Sequence, residues 1–234
     1  MNVPSIHCTL TYSEASQHST LNIQHKVLTN FIPIFPLSIV AYPGEALNLH
    51  IFEPRYKQLI NDCSAAKKPF GIPSMIKDKL SEMGTLMQIT EISQVYDDGK
   101  MDIKTEGLQV FRILEIVNEL PDKLYSGAIV NYPENDTMGK KLLMQKVIKG
   151  ISEMHKLLKI SKDFKKRDEE LTSYELAHHA GLSIQQEYEL LDLVHEAQRQ
   201  EYLRRHLVKV LPLISEMEML KEKIKLNGHF RDLS

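Results

Sequence analysis

The chain switches its hydrophobic period once, near Pro133, and this switch constrains the fold more than any other feature. Before it, short apolar stretches at 31–35, 47–52, 86–95, 101–105, 108–117 and 125–132 alternate with turn residues, the pattern of β-strands. The run Tyr96-Asp97-Asp98-Gly99-Lys100 reads as a hairpin turn, with Gly99 suited to positive φ. One helix interrupts the strands. Pro54 can occupy its first turn, where a missing N–H costs little, and Glu53 suits the positive helix end. Tyr56, Leu59, Ile60 and Cys63 follow at i, i+3, i+4, i+7 and give it one apolar face. Six or more short strands in about 100 residues imply a small closed or nearly closed barrel.

After Pro133 the spacing is helical. Leu142, Leu143, Val147, Ile148, Ile151, Met154, Leu157 and Leu158 form one stripe, which a charged loop at 162–170 ends. Thr172-x-x-Glu175 and Ser183-x-x-Gln186 are capping boxes that each open a short helix, and Gly181 between them fits a left-handed closing position. A long segment from about 196 to 226 completes this half, with Pro212 expected to break or bend it. The expected organisation is α+β: a poorly ordered leader at 1–28, a β-barrel part at 29–133, and a helical part at 134–234 packed on it.

Charge and cysteine content narrow the function classes. The 29 basic and 31 acidic residues give a net charge of −2, which favours neither nucleic acid nor anionic membrane as partner. Cys8 and Cys63 lack metal-ligand spacing and read as reduced thiols of a cytoplasmic protein. No stretch reaches the roughly 18 apolar residues of a membrane span, and the first 25 residues lack the basic and apolar regions of a signal peptide.

Catalytic signatures are missing from the sequence. Gly99-Lys100 and Gly139-Lys140 lack both the preceding glycine spacing and the following hydroxyl of a phosphate-binding loop. There is no Gly-x-Ser-x-Gly elbow and no zinc-protease His-Glu-x-x-His. His178 and His179 are adjacent, so on a helix they point about 100° apart and read as partly exposed helix histidines rather than metal ligands. No enzyme activity, cofactor or metal is expected.

One set of motifs resembles a known family. Ile32-Pro33-Ile34-Phe35-Pro36-Leu37 is followed by Tyr42-Pro43-Gly44-Glu45, then Leu47-x-Leu49-x-Ile51-Phe52-Glu53-Pro54-Arg55-Tyr56, Phe70-Gly71-Ile72 and Met83-Gly84-Thr85. Glu106-Gly107 precedes Phe111-Arg112-Ile113, and Tyr125-x-x-Ala128-x-Val130 closes the series. In this order the motifs resemble the start of the LON substrate-binding domain, with Phe111 and Arg112 exchanged relative to the family's strand. The resemblance covers about 31–226, more loosely in the helical half. It implies a PUA-like pseudobarrel followed by a helical subdomain, and protein or peptide recognition rather than chemistry. ATP-dependent Lon proteases continue from this domain into an ATPase; no such motif occurs in the 234 residues.

The signature residues also have local roles. Pro43 and Gly44 make a turn, Pro54 starts a helix, and Gly71, Gly84 and Gly107 permit turns, bulges or close backbone approach. Glu53 and Arg55 are candidates to pair with Arg112 or a nearby carboxylate, locking helix to barrel, and Tyr56 lies on that helix's apolar face. For partner binding, Tyr42 and a loop at 73–83 carrying Met75, Ile76 and Met83 offer adaptable apolar side chains; folding over the barrel end is their structural alternative. The expected function is a binding module with an apolar groove between barrel and helices. The alternative is RNA binding by Lys162, Lys165, Lys166, Arg167, Arg199, Arg204 and Arg205. A hydrolase is a third and weaker reading, because no nucleophile–base pair is visible.

Overall fold

A computed structural model describes residues 29–161, 166–167 and 170–228. Cys8, the expected leader, and Lys162 and Lys165 of the basic cluster lie outside them. The β part comprises β1 (Thr29–Pro33), β2 (Ala46–Ile51), α1 (Pro54–Ala66), β3 (Phe70–Ile76), β4 (Lys79–Val95), β5 (Met101–Val117) and β6 (Gly127–Asn131). The helices are α2 (Lys141–Leu157), α3 (Ser173–Ala177), α4 (Ile184–Asp192) and α5 (Glu196–Gly228).

The strands run antiparallel in the order β1-β6-β5-β4-β3, with β2 on the first half of β5. The chain after β1 then pairs in parallel with β3 through Ile34–Gly71 and Leu37–Ser74, closing the sheet into a barrel. Register shifts at Leu86/Met87, Ile89/Glu91 and Ile92/Gln94 bend the long β4–β5 hairpin enough to serve both sides of that closure. Its turn places Gly99 at φ 73 as the sequence implies.

Two details differ from the sequence reading. The stretches 101–105 and 108–117 are one 17-residue strand, because Gly107 extends the ladder instead of ending it. The region 73–83 is no loop: it joins β3 to β4 through a two-residue turn at Lys77 and Asp78, both at positive φ.

Helix starts follow local chemistry. Pro54 occupies the first turn of α1 after Glu53, and Tyr56, Leu59, Ile60 and Cys63 are its buried residues. Both capping boxes form, at Thr172/Glu175 and Ser183/Gln186, and Gly181 sits at φ 69 between them. Pro212 lies inside α5, which continues past it. Burial in apolar surroundings pushes the Cys63 thiol up to about 11. No helix among the described residues is long and apolar enough to cross a membrane.

Three apolar clusters fill the molecule. One lies inside the barrel around Phe111, Ala128 and Val130, and one joins α1 to the strands. The largest joins Val40, Tyr42, Met83 and Val110 of the β part to Met144, Val147, Ile151, Leu203 and Leu207 of the helices. Barrel and helices therefore share a core.

Candidate functional site

The barrel–helix junction, where the sequence points to a groove, is filled. Tyr42 is buried, its ring stacked on Tyr174 at 5.2 Å, and its hydroxyl donates to the Glu187 carbonyl at 2.9 Å. Burial lifts the phenol far above its ordinary pKa. Met83 is equally buried, and its N–H donates to the Tyr188 hydroxyl oxygen at 3.2 Å. Ile76 is buried and Met75 half-buried within the hairpin. Tyr42, Ile76 and Met83 are thus buried rather than exposed: Ile76 and Met83 lie in the paired strands of the 73–83 segment, and Tyr42 is covered by Tyr174 and α4.

The family-signature residues build this junction and the barrel around it. After Pro43, Gly44 turns at φ 78, and its N–H donates to the Gly107 carbonyl at 2.8 Å. A Cβ on Gly107 would stand 2.1 Å from the Tyr42 carbonyl oxygen, so the crossing needs glycine. Gly71 and Gly84 likewise let the Phe111 ring lie against the strands. Arg112 reaches Asp192 of α4 at 2.7 Å and Glu82 at 3.3 Å, tying barrel to helices. Glu53 and Arg55 pair with each other at 2.8 Å instead, and the Arg55 guanidinium lies over the Tyr56 ring.

Two polar hubs escaped the sequence reading. His178 follows α3 with Glu187 at 2.8 Å from Nδ1 and Glu45 of the barrel turn at 3.3 Å from Nε2. Hydrogen bonds to Glu187 and then Glu45 push its imidazole up to about 10, so it is a cation at neutral pH. Nothing in its sequence neighbourhood announces Glu45, which lies 133 residues away. Arg199, only 1% exposed, forms the second. Its guanidinium bonds Glu196 at 2.9 Å, Asn135 and the Leu193 carbonyl at 2.7 Å, and the Asp136 carbonyl at 2.9 Å. It also lies over the Tyr174 ring. A signal existed: Glu196, Arg199, Gln200, Leu203 and Leu207 share the spacing of one buried helix face.

The described members of the basic cluster all have partners within the chain. Arg199 is inside, Arg204 and Arg205 both bind Glu201 and pull it down to about 2, Lys166 pairs with Glu175, and Arg167 with Glu170. The His50–Asp102 pair at 2.6 Å on the barrel exterior has Phe52 and Tyr96 as ring neighbours, and Tyr96 donates to the same Asp102. Among the described residues no three His, Cys, Asp or Glu side chains cluster to hold a metal.

One open concavity lies wholly in the helical half. A groove of about 850 Å³ runs between the start of α2, α4 and α5. Half-buried Leu143, Leu193, Ala197 and Tyr202 give it carbon surface, while Lys140, Glu189, Glu201, Arg205 and Lys209 line it with both signs of charge. Tyr202 donates to Glu189 at 2.7 Å, fixing one wall. Such a lining suits a polypeptide, which presents carbon and both charges, better than a polyanion.

Residues 32–209 match the ATP-dependent protease La (LON) substrate-binding domain. The chain belongs to that family. A LON substrate-binding domain is thus present across most of the barrel and the helices that line the groove. A Lon protease of Flavobacterium johnsoniae is 30% identical over 99 residues, which are 38% of this chain and 12% of that protein. The chain therefore matches only a small part of that relative. A Lon N-terminal domain protein from Xanthomonas campestris shares the fold, with TM-score 0.56, 23% identity, and coverage of 74% of this chain and 96% of that one. The N-terminal domain of a Mycobacterium avium complex Lon protease aligns with TM-score 0.55 and 14% identity, covering 76% and 98%.

Proposed function

We propose that this LON substrate-binding domain is a non-catalytic module that binds protein, taking extended or unfolded polypeptide in the groove between α2, α4 and α5. One observation carries the reading: that groove is lined entirely by residues within the span matched to the substrate-binding family. Its mixed-charge, partly apolar lining supports a peptide ligand over RNA, as does the internal pairing of Arg199, Arg204 and Arg205.

Labelled, reduced and carboxymethylated casein, read by fluorescence anisotropy, tests this. Binding is expected, and Ala197→Glu, which fills the groove without emptying the core, should weaken it at least about five-fold. Single-stranded RNA should not compete, and casein should emerge uncleaved. A wild-type chain that ignores casein, or a variant that binds it equally well, rules out this groove.

A further inference from the structure

The last part of α5 carries an apolar stripe that the other described residues leave largely exposed. Ile214 is the last apolar side chain of the helix packed against the core. Beyond and beside it, Leu213, Met217, Leu220 and Ile224 are each 57–62% exposed. Their spacing of four, three and four residues is that of a coiled-coil seam, and it lies about a quarter-turn round the helix from the face of Leu203, Leu207 and Val210. An isolated helical end with such a stripe is marginal in water, so a covering surface is called for.

The geometry points to a second copy of this chain as the cover, with the two α5 ends packed antiparallel. In that arrangement Met217 faces Leu220 of the second copy and Leu213 faces its Ile224, so the stripe completes itself in four layers. Charge selects the same arrangement. Glu216 and Lys223 flank one side of the stripe, and antiparallel packing sets Glu216 of each copy against Lys223 of the other. Neither has an ion-pair partner within the chain among the described residues, whereas Lys221 on the opposite flank is held by Glu218 at 2.6 Å. A parallel pair would need Lys221 for its flanking bridge. The antiparallel pair also keeps the two globular bodies at opposite ends. Four layers make a small contact beside a standard interface of roughly 1,600 Å², so the dimer is weak and concentration-dependent.

Sedimentation equilibrium of the full chain, from about 1 to about 500 µM, reads this directly. The expected result is reversible monomer–dimer exchange. Leu220→Asp should weaken it at least about ten-fold with an unchanged circular dichroism spectrum. Glu216→Lys and Lys223→Glu should each weaken self-association, and mixing the two variants in equal amounts should restore dimer as a heterodimer. A chain that stays monomeric throughout overturns the proposal. So does a dimer indifferent to Leu220→Asp, or a mixture that associates no better than its components.

Discussion

His178 holds Glu45 at 3.3 Å across the junction between helices and barrel, while its other ring nitrogen holds Glu187 at 2.8 Å. With the folded imidazole raised to about 10 from 6.5, folding favours its protonated form. Its contribution is fully present below pH 6.5 and is lost as pH rises through about 10. Because the ring is 38% exposed, solvent screening reduces the effect to about 1 kcal/mol. Urea unfolding at a series of pH values should therefore show stability falling between pH 7 and 10. His178→Gln should flatten that slope. An equal slope in the variant would assign the pH dependence to other groups.

Arg199→Met should cost about 3–5 kcal/mol, since it leaves the Glu196 carboxylate buried without its cation. Replacing Arg199 and Glu196 together with leucine should recover part of that loss. Chemical denaturation of both variants decides it, and a single variant near wild-type stability would refute the hub.

The glycines separate two kinds of constraint. Gly107→Ala drives a methyl into the Tyr42 carbonyl, forcing the Tyr42–Gly44 turn off the barrel, and should cost about 3 kcal/mol. Gly44→Ala meets nothing within 4 Å and suffers only its φ of 78, so about 1 kcal/mol is expected. Thermal melts of the two should fall in that order.

Met83→Asp should unfold the protein, because a carboxylate would enter the shared core beside Tyr42. Met75→Asp, at a half-buried site, should be milder. If the shared core makes barrel and helices one cooperative unit, near- and far-ultraviolet circular dichroism should report a single coincident transition. Limited proteolysis should then yield no stable fragment spanning 31–133.

Much of the fold was legible because it rests on short-range rules. Pro54 before an apolar face, the two capping boxes, Gly99 in its turn and the change of period at Pro133 all act over a few residues. The site was not legible in the same way. Methionines 75 and 83 look alike in sequence, and only the pairing of β3 with β4 and the packing of helices over Met83 distinguishes them. Arg199 reads as one more member of a basic cluster until its partners at 135, 136, 174 and 193 converge on it. The strand pattern implied a closed or nearly closed barrel but not where its seam lies, since β3 contains Pro73 and the seam is a pair of isolated parallel bridges.

The Arg199 hub has a consequence for the order in which the chain assembles during synthesis. An arginine cannot shed its proton to enter the interior early, so its buried position exists only once every acceptor is in place. Asn135 leaves the ribosome 64 residues ahead of Arg199 and has to wait for it. The barrel strands can pair during that interval, since their hydrogen-bond partners all precede residue 132. The helices cannot lock until the first turns of α5 emerge. Tethered nascent chains halted before and after Arg199 has cleared the exit tunnel should therefore differ sharply in protease resistance from residue 31 to residue 192, because paired strands without the helices still lack their share of the common core.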